Sequence, residues 1–101
     1  MIYSLVVPCG VKNVSEVRVL EWHGAPGTAF STGDMLVELE THKAVVEVRA
    51  GAPAILRRIL CEPGDWQVAG AALAVLSDDA NESLPDSLEQ LEQSRVTYEV
   101  L

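Results

Sequence analysis

The chain carries two lysines (Lys12, Lys43), two histidines (His23, His42) and two cysteines (Cys9, Cys61). Of these, Lys43 has the most distinctive setting. It stands in Thr41-His42-Lys43-Ala44, a tight polar connection between two alternating runs, Leu36 to Glu40 and Val45 to Arg49. That pattern predicts a β-hairpin with the lysine at its tip. A lysine on an arbitrary hairpin is ordinarily a solvated turn residue. Here Glu38, Glu40 and Glu47 are expected to surround an otherwise isolated cation. Lys12, in Val11-Lys12-Asn13, reads as part of an early loop.

The competing sites are weaker. His23 follows Trp22 at a strand end, with no Cys, Asp or Glu clustered at metal-ligand spacing, so no metal is expected. Ser31 and Asp34 would need a histidine, a nucleophile elbow and an oxyanion motif to work as a triad, so no catalytic residue is expected. Cys9 and Cys61 lie far apart with no Cys-x-x-Cys, and read as free thiols of a reducing compartment. A disulfide between them is the lesser alternative. Trp22 and Trp66 read as core or rim packing. No glycine sits in a phosphate-cradling motif ahead of a helix.

A repeat must position the lysine. Pro26-Gly27, Gly33 and Leu36 recur as Pro63-Gly64, Gly70 and Leu73, each offset by 37 residues. A short apolar stretch follows each copy (Val37 to Leu39, Ala74 to Leu76), and a strand-like run precedes it (Val17 to Trp22, Ala54 to Cys61). Proline fixes φ near −65° and glycine accepts φ > 0, so each Pro-Gly sets a turn. Gly27, Gly33, Gly64 and Gly70 are expected to include left-handed positions. Period-two alternation between closely spaced turns predicts an all-β sandwich or barrel of two half-domains. The lysine hairpin joins the halves, near their pseudo-two-fold axis.

Size and charge narrow the function. The chain has 101 residues, 49% apolar and 22% charged, which is one domain with a modest core and little room for a deep cleft. The net charge of −8 opposes binding to nucleic acid or an anionic membrane. The charge is uneven. Residues 1–76 hold eight acids and six bases, net −2, and residues 77–101 hold seven acids against Arg95, net −6. No apolar run approaches a membrane span. The segment from Met1 to Cys9 lacks the basic start of a signal peptide, and Pro8 stands where a lipoprotein cleavage site needs a small residue.

The division expected is therefore a body over 1–76 and an acidic tail over 77–101. Ser77 to Glu82 reads as a solvated connector. Ser83-Leu84-Pro85-Asp86 has capping-box spacing, and Leu84, Leu88 and Leu91 follow at helical spacing, which predicts a short helix over 85–94. Val96 to Val100 alternates like an edge strand, either an ordered closing strand or a frayed end.

From Leu5 to Leu76 the sequence resembles the lipoyl-domain (biotinyl/lipoyl attachment) family. The resemblance rests on Glu40-Thr41-His42-Lys43-Ala44, Glu21-Trp22, Pro26-Gly27, Gly33-Asp34-x-Leu36, Glu47-Val48, Gly64-Asp65 and Gly70-x-x-Leu73, in family order and near family spacing. It is closest in type to the lipoyl domain of a dihydrolipoamide acyltransferase from a 2-oxo acid dehydrogenase complex. It implies a flattened β-barrel, the barrel-sandwich hybrid, of two four-stranded antiparallel sheets with the lysine turn at one end. It implies lipoate in amide linkage on Lys43, with Glu40, Thr41, His42 and Ala44 as the recognition residues around it. The implied role is a swinging arm that carries acyl groups and electrons between active sites, the chemistry belonging to the cofactor. The implied partners are a lipoate ligase or lipoyl transferase, a thiamine-dependent 2-oxo acid decarboxylase and dihydrolipoamide dehydrogenase. The implied location is the cytoplasm, or the mitochondrial matrix in a eukaryote.

Three departures stand out. His42 replaces the family's usual Asp, which touches partner choice more than attachment. Ala50-Gly51-Ala52-Pro53-Ala54 stands where Pro-x-x-Gly is usual, and Gln67 fills a usually apolar position. The alternatives are a biotin carrier, which usually shows Met on both sides of the lysine, the shuttle of glycine cleavage, and an unmodified barrel acting as an adaptor. The tail lacks the Ala/Pro-rich linker of an acyltransferase, so both an excised domain and a free-standing carrier remain open.

Overall fold

Four glycines at the predicted turns adopt left-handed backbone: Gly27 (φ 100°), Gly33 (93°), Gly64 (94°) and Gly70 (87°). The hydrogen bonds at these turns repeat with the sequence. Gly27 N–H donates to Leu56 O at 2.7 Å, and Gly64 N–H donates to Val19 O at 2.7 Å. Each half thus closes on the other, since Val19 and Leu56 are themselves 37 residues apart. Thr28 N–H to Ala25 O (3.0 Å) matches Asp65 N–H to Glu62 O (3.1 Å), and Asp34 N–H to Ser31 O matches Ala71 N–H to Val68 O, both at 3.0 Å.

The computed structural model describes residues 1–7, 15–85 and 91–101. Cys9, Lys12 and residues 86–90 of the expected helix lie outside these. Ten strands follow in order: β1 (Ile2–Val6), β2 (Glu16–Trp22), β3 (Ala29–Phe30), β4 (Met35–Glu40), β5 (Val45–Ala50), β6 (Ala54–Ile59), β7 (Trp66–Val68), β8 (Ala72–Ser77), β9 (Glu92–Gln93) and β10 (Val96–Val100). They form two sheets, β3-β6-β8-β1-β9 and β10-β5-β4-β2-β7. Without β9 and β10, the second sheet repeats the first under exchange of β1–β4 with β5–β8. Each half contributes two strands to each sheet. Inward-facing side chains from both sheets make one core, including Leu5, Val17, Val19, Leu36, Leu39, Val46, Val48, Leu56, Leu73 and Leu76. Among the described residues no helix is long and apolar enough to cross a membrane.

The all-β, pseudo-symmetric architecture of two sheets is the one expected, and of sandwich and barrel the open sandwich is the form observed. Each sheet carries one strand beyond the expected four. The fifth strands come from the tail. β10 lies antiparallel on β5, from Val96 opposite Ala50 to Val100 opposite Val46. The ordered alternative for residues 96–100 is thus the observed one. At 92–93 the expected helix gives way to β9, which runs parallel to β1 with Tyr3 opposite Glu92 and Ser4 opposite Gln93. The physical reason is the edge: β1 offers unpaired backbone groups, and Ser94 N–H donates to Ser4 O at 2.8 Å. The connector is also tied down rather than merely solvated. Arg57 donates to Ser77 Oγ (3.0 Å), Asp79 O (3.0 Å) and Glu82 O (2.7 Å).

The tail explains the displaced glycine. Gly51 N–H donates to Arg95 O at 2.8 Å, and a Cβ on Gly51 would stand 3.0 Å from the Arg95 carbonyl. The backbone entering β10 passes close to where a side chain at 51 would sit, so any larger residue there needs the Arg95 carbonyl to give way.

Cys61 is a free thiol, 2% exposed, its Sγ 3.8 Å from Ala72 O. Burial pushes the thiol up from its ordinary range, and Asp65 and Glu62 push it further. The thiolate is the reactive form. In a Cys9→Ser background, iodoacetamide at pH 7.5 is therefore expected to leave native Cys61 essentially unlabelled and to label it fully in denaturant. Labelling at the same rate in both states would refute the buried placement.

Candidate functional site

β4 and β5 form the lysine hairpin, with Glu40 opposite Val45, Leu39 opposite Val46 and Glu38 opposite Glu47. Leu39, Val46 and Val48 anchor it in the core. Thr41 builds the tip. Its N–H donates to Ala44 O at 2.8 Å. Its Oγ1 accepts from Lys43 N–H (3.1 Å) and Ala44 N–H (3.0 Å), and the hydroxyl lies 3.2 Å from Ala44 O. These bonds satisfy the turn's own backbone, each contributing roughly 0.5–1.5 kcal/mol. Thr41 and Ala44 are half-buried, and His42 and Lys43 project outward. The side chain that the sequence singles out is thus presented by a hydrogen-bonded turn.

The glutamates do not surround it. Glu40 is paired with Arg18, Glu38 Oε1 lies 2.7 Å from His23 Nε2, and Glu47 Oε1 lies 3.3 Å from Arg49 Nη2. Alternation places these carboxylates on the outer face of the second sheet, while the turn extends beyond its end. Among the described residues no carboxylate is ion-paired with Lys43. Of the expected recognition residues, Thr41 and Ala44 shape the turn, His42 shares its exposed tip, and Glu40 belongs to the sheet face.

His42 has a neighbourhood that sequence reasoning missed. Its ring stacks on Trp66 with centroids 5.0 Å apart and planes at 19°, and its Nε2 lies 3.3 Å from Glu16 Oε1. The Arg18 guanidinium stands 5.8 Å over the same indole. Trp66, Arg18 and Glu40 are directly opposite one another across β7, β2 and β4. Trp66 is therefore a rim residue, 41% exposed, that holds the imidazole beside the lysine. A signal was present in the repeat: Trp66 stands 37 residues after Ala29, so a large aromatic ring replaces a methyl group.

Residues 5–76 match the biotin/lipoyl family model, described as "Biotin-requiring enzyme", and the chain belongs to that family. Within the family its fold is that of a lipoyl domain. The lipoyl domain of the Azotobacter vinelandii 2-oxoglutarate dehydrogenase complex superposes with a TM-score of 0.65 at 29% identity, covering 75% of this chain and 96% of that domain. Among curated proteins, the dihydrolipoyllysine-residue succinyltransferase component of the Bacillus subtilis 2-oxoglutarate dehydrogenase complex is 32% identical over 80 residues, 79% of this chain and 19% of that protein. The Escherichia coli K12 component is 40% identical over 61 residues, 60% of this chain and 15% of that protein. The chain spans about a fifth of the length of the curated relatives it matches.

Proposed function

We propose that Lys43 Nζ is the attachment point for lipoate, and that this chain is a lipoyl carrier in a 2-oxo acid dehydrogenase-type complex. The observation that carries the reading is the tip: an exposed primary amine, unpaired with any described carboxylate, on a turn held by Thr41 in a lipoyl-domain fold. The group fits. An amide to Nζ needs an accessible amine on a narrow protrusion, and the hairpin supplies both. When bound, lipoate supplies a dithiolane that takes up acyl groups and electrons. The protein's own part is placement: a protruding tip lets the arm enter clefts of other proteins, and tethering raises effective concentration so that weak contacts suffice. The partners proposed are a lipoate ligase or lipoyl transferase, a thiamine-dependent 2-oxo acid decarboxylase and dihydrolipoamide dehydrogenase, in the cytoplasm or the mitochondrial matrix.

Lipoate is favoured over biotin because His42 and Ala44, not methionines, flank the lysine. Intact-mass measurement on protein from cells supplied with both cofactors and their ligases tests this. One added lipoyl group is expected. A biotinyl adduct, or unmodified protein in the presence of active lipoate ligase, would overturn the proposal.

His42 bears on partner choice. An Asp there would restore the family's fixed negative charge, lose the stack on Trp66 and face Glu16. Attachment depends on the lysine and the Thr41 turn, so His42→Asp is expected to be lipoylated like wild type. Charge complementarity at a small interface sets encounter and rejects wrong partners. Reductive acylation by a housekeeping 2-oxo acid decarboxylase is therefore expected to rise in kcat/KM by roughly ten-fold, the low end of electrostatic steering. Equal values for both proteins from pH 6 to 8 would show that the imidazole is a neutral turn residue.

A further inference from the structure

The outer face of the second sheet holds a second cluster that the hairpin does not use. Glu21 stands opposite Glu38, Glu38 opposite Glu47, and Glu47 opposite Glu99. Four carboxylates thus lie in one row across β2, β4, β5 and β10. Like charges directly opposite one another destabilise a sheet. Arg49 answers the row at Glu47. At the β2 end, His23 Nε2 lies 2.7 Å from Glu38 Oε1 and 4.0 Å from Glu21 Oε2.

A register shift creates this arrangement. β2 carries a bulge between Val19 and Glu21, so Glu21, not Leu20, stands opposite Glu38. Bulges re-aim side chains in this way. His23, two residues on, then shares the face of Glu21, and its backbone N–H is fixed to Leu36 O of β4 at 3.0 Å. One donor atom from each of Glu21, His23 and Glu38 lies within 4.8 Å of the other two. Sequence spacing hides the set because Glu38 comes from another strand.

We propose that Glu21, His23 and Glu38 bind a borderline divalent transition-metal ion of the Zn²⁺ class. One imidazole nitrogen and two carboxylate oxygens suit such an ion, whereas Mg²⁺ and Ca²⁺ take oxygen ligands. Zinc–ligand bonds of about 2.0–2.2 Å place tetrahedral donors roughly 3.3 Å apart. The observed separations of 2.7 and 4.0 Å fall on either side of that, so small rotations of the glutamates complete the set. The ion would neutralise the facing carboxylates, and solvent would fill the open positions above exposed Glu21. The site is separate from Lys43 and does not rest on its modification.

Zn²⁺ titration of the unmodified protein tests this, read by competition with a chromophoric zinc indicator and by thermal melts against EDTA. Wild type is expected to take up one ion and to melt higher with it, and Mg²⁺ is expected to do neither. His23→Gln and Glu38→Gln, on the solvent face of an intact core, are expected to bind at least about ten-fold more weakly and to lose the melting shift. His42→Gln and Cys9→Ser are expected to retain both. No uptake by wild type, or undiminished uptake by His23→Gln, would overturn the proposal.

Discussion

Lys43→Arg is expected to take up no lipoyl group under conditions that modify wild type completely, while Lys12→Arg is modified like wild type. Amide formation needs a neutral amine as nucleophile, and guanidinium stays protonated. Arginine keeps the positive charge, so electrostatics at the tip change little. The turn also stays intact, because its hydrogen bonds run from Thr41 to the backbone of residues 43 and 44 and use nothing of the lysine side chain. Loss of modification should therefore come without loss of stability. Intact mass and a thermal melt on the same preparation separate the two. A lipoylated Lys43→Arg protein would refute Lys43 as the attachment point, while an unfolded one would refute the account of the turn.

The second large effect concerns the turns. Gly33→Val and Gly70→Val are each expected to cost about 2 kcal/mol, within the range for a non-glycine residue held in left-handed backbone. A drop in Tm of roughly 8–16 °C follows for a domain of this size. At Gly33 an added Cβ would meet nothing within 4 Å, so the cost is dihedral strain rather than a clash. The two sites are built alike: Gly33 N–H donates to Ala50 O at 2.7 Å and Gly70 N–H to Val7 O at 3.1 Å, each reaching the end of an equivalent strand. Their costs should agree closely. Gly33→Asn should lose less, because asparagine tolerates the left-handed region. Melts of both valine variants indistinguishable from wild type would show that the 37-residue repeat does not set the turns.

Those glycines show how much of the fold is written locally in the sequence. A Pro-Gly turn is a local instruction, so the strands it separates, the two half-domains and the lysine tip between them followed from spacing alone. Register is not local. The equivalent residues Val7 and Ala50 are 43 apart rather than 37, so the extra six residues fall in the connection between β1 and β2, and a fixed offset misses the match. The glutamates near Lys43 were misplaced for a related reason. Closeness in sequence put Glu38, Glu40 and Glu47 beside it, but strand alternation sends them to the sheet face, where Arg18, His23 and Arg49 meet them. The stack of His42 on Trp66 and the cluster of Glu21, His23 and Glu38 depend on which strands pair and where one bulge falls. The tail misled because leucines at helical spacing compete with two open sheet edges, and at 92–93 an edge wins.

Those edges bear on how this domain can be handled and recombined. β1 and β5 are equivalent strands under the pseudo-symmetry, and in each sheet a tail strand shields the outer one. A version trimmed after Leu76 would keep the repeat, the core and the lysine turn, yet bare two rows of backbone donors and acceptors. Gly51, with no side chain to stand guard, would sit on one of them. Such rows are templates for aggregation and strand exchange. A fusion that carries this domain should therefore keep residues 91–101 with it.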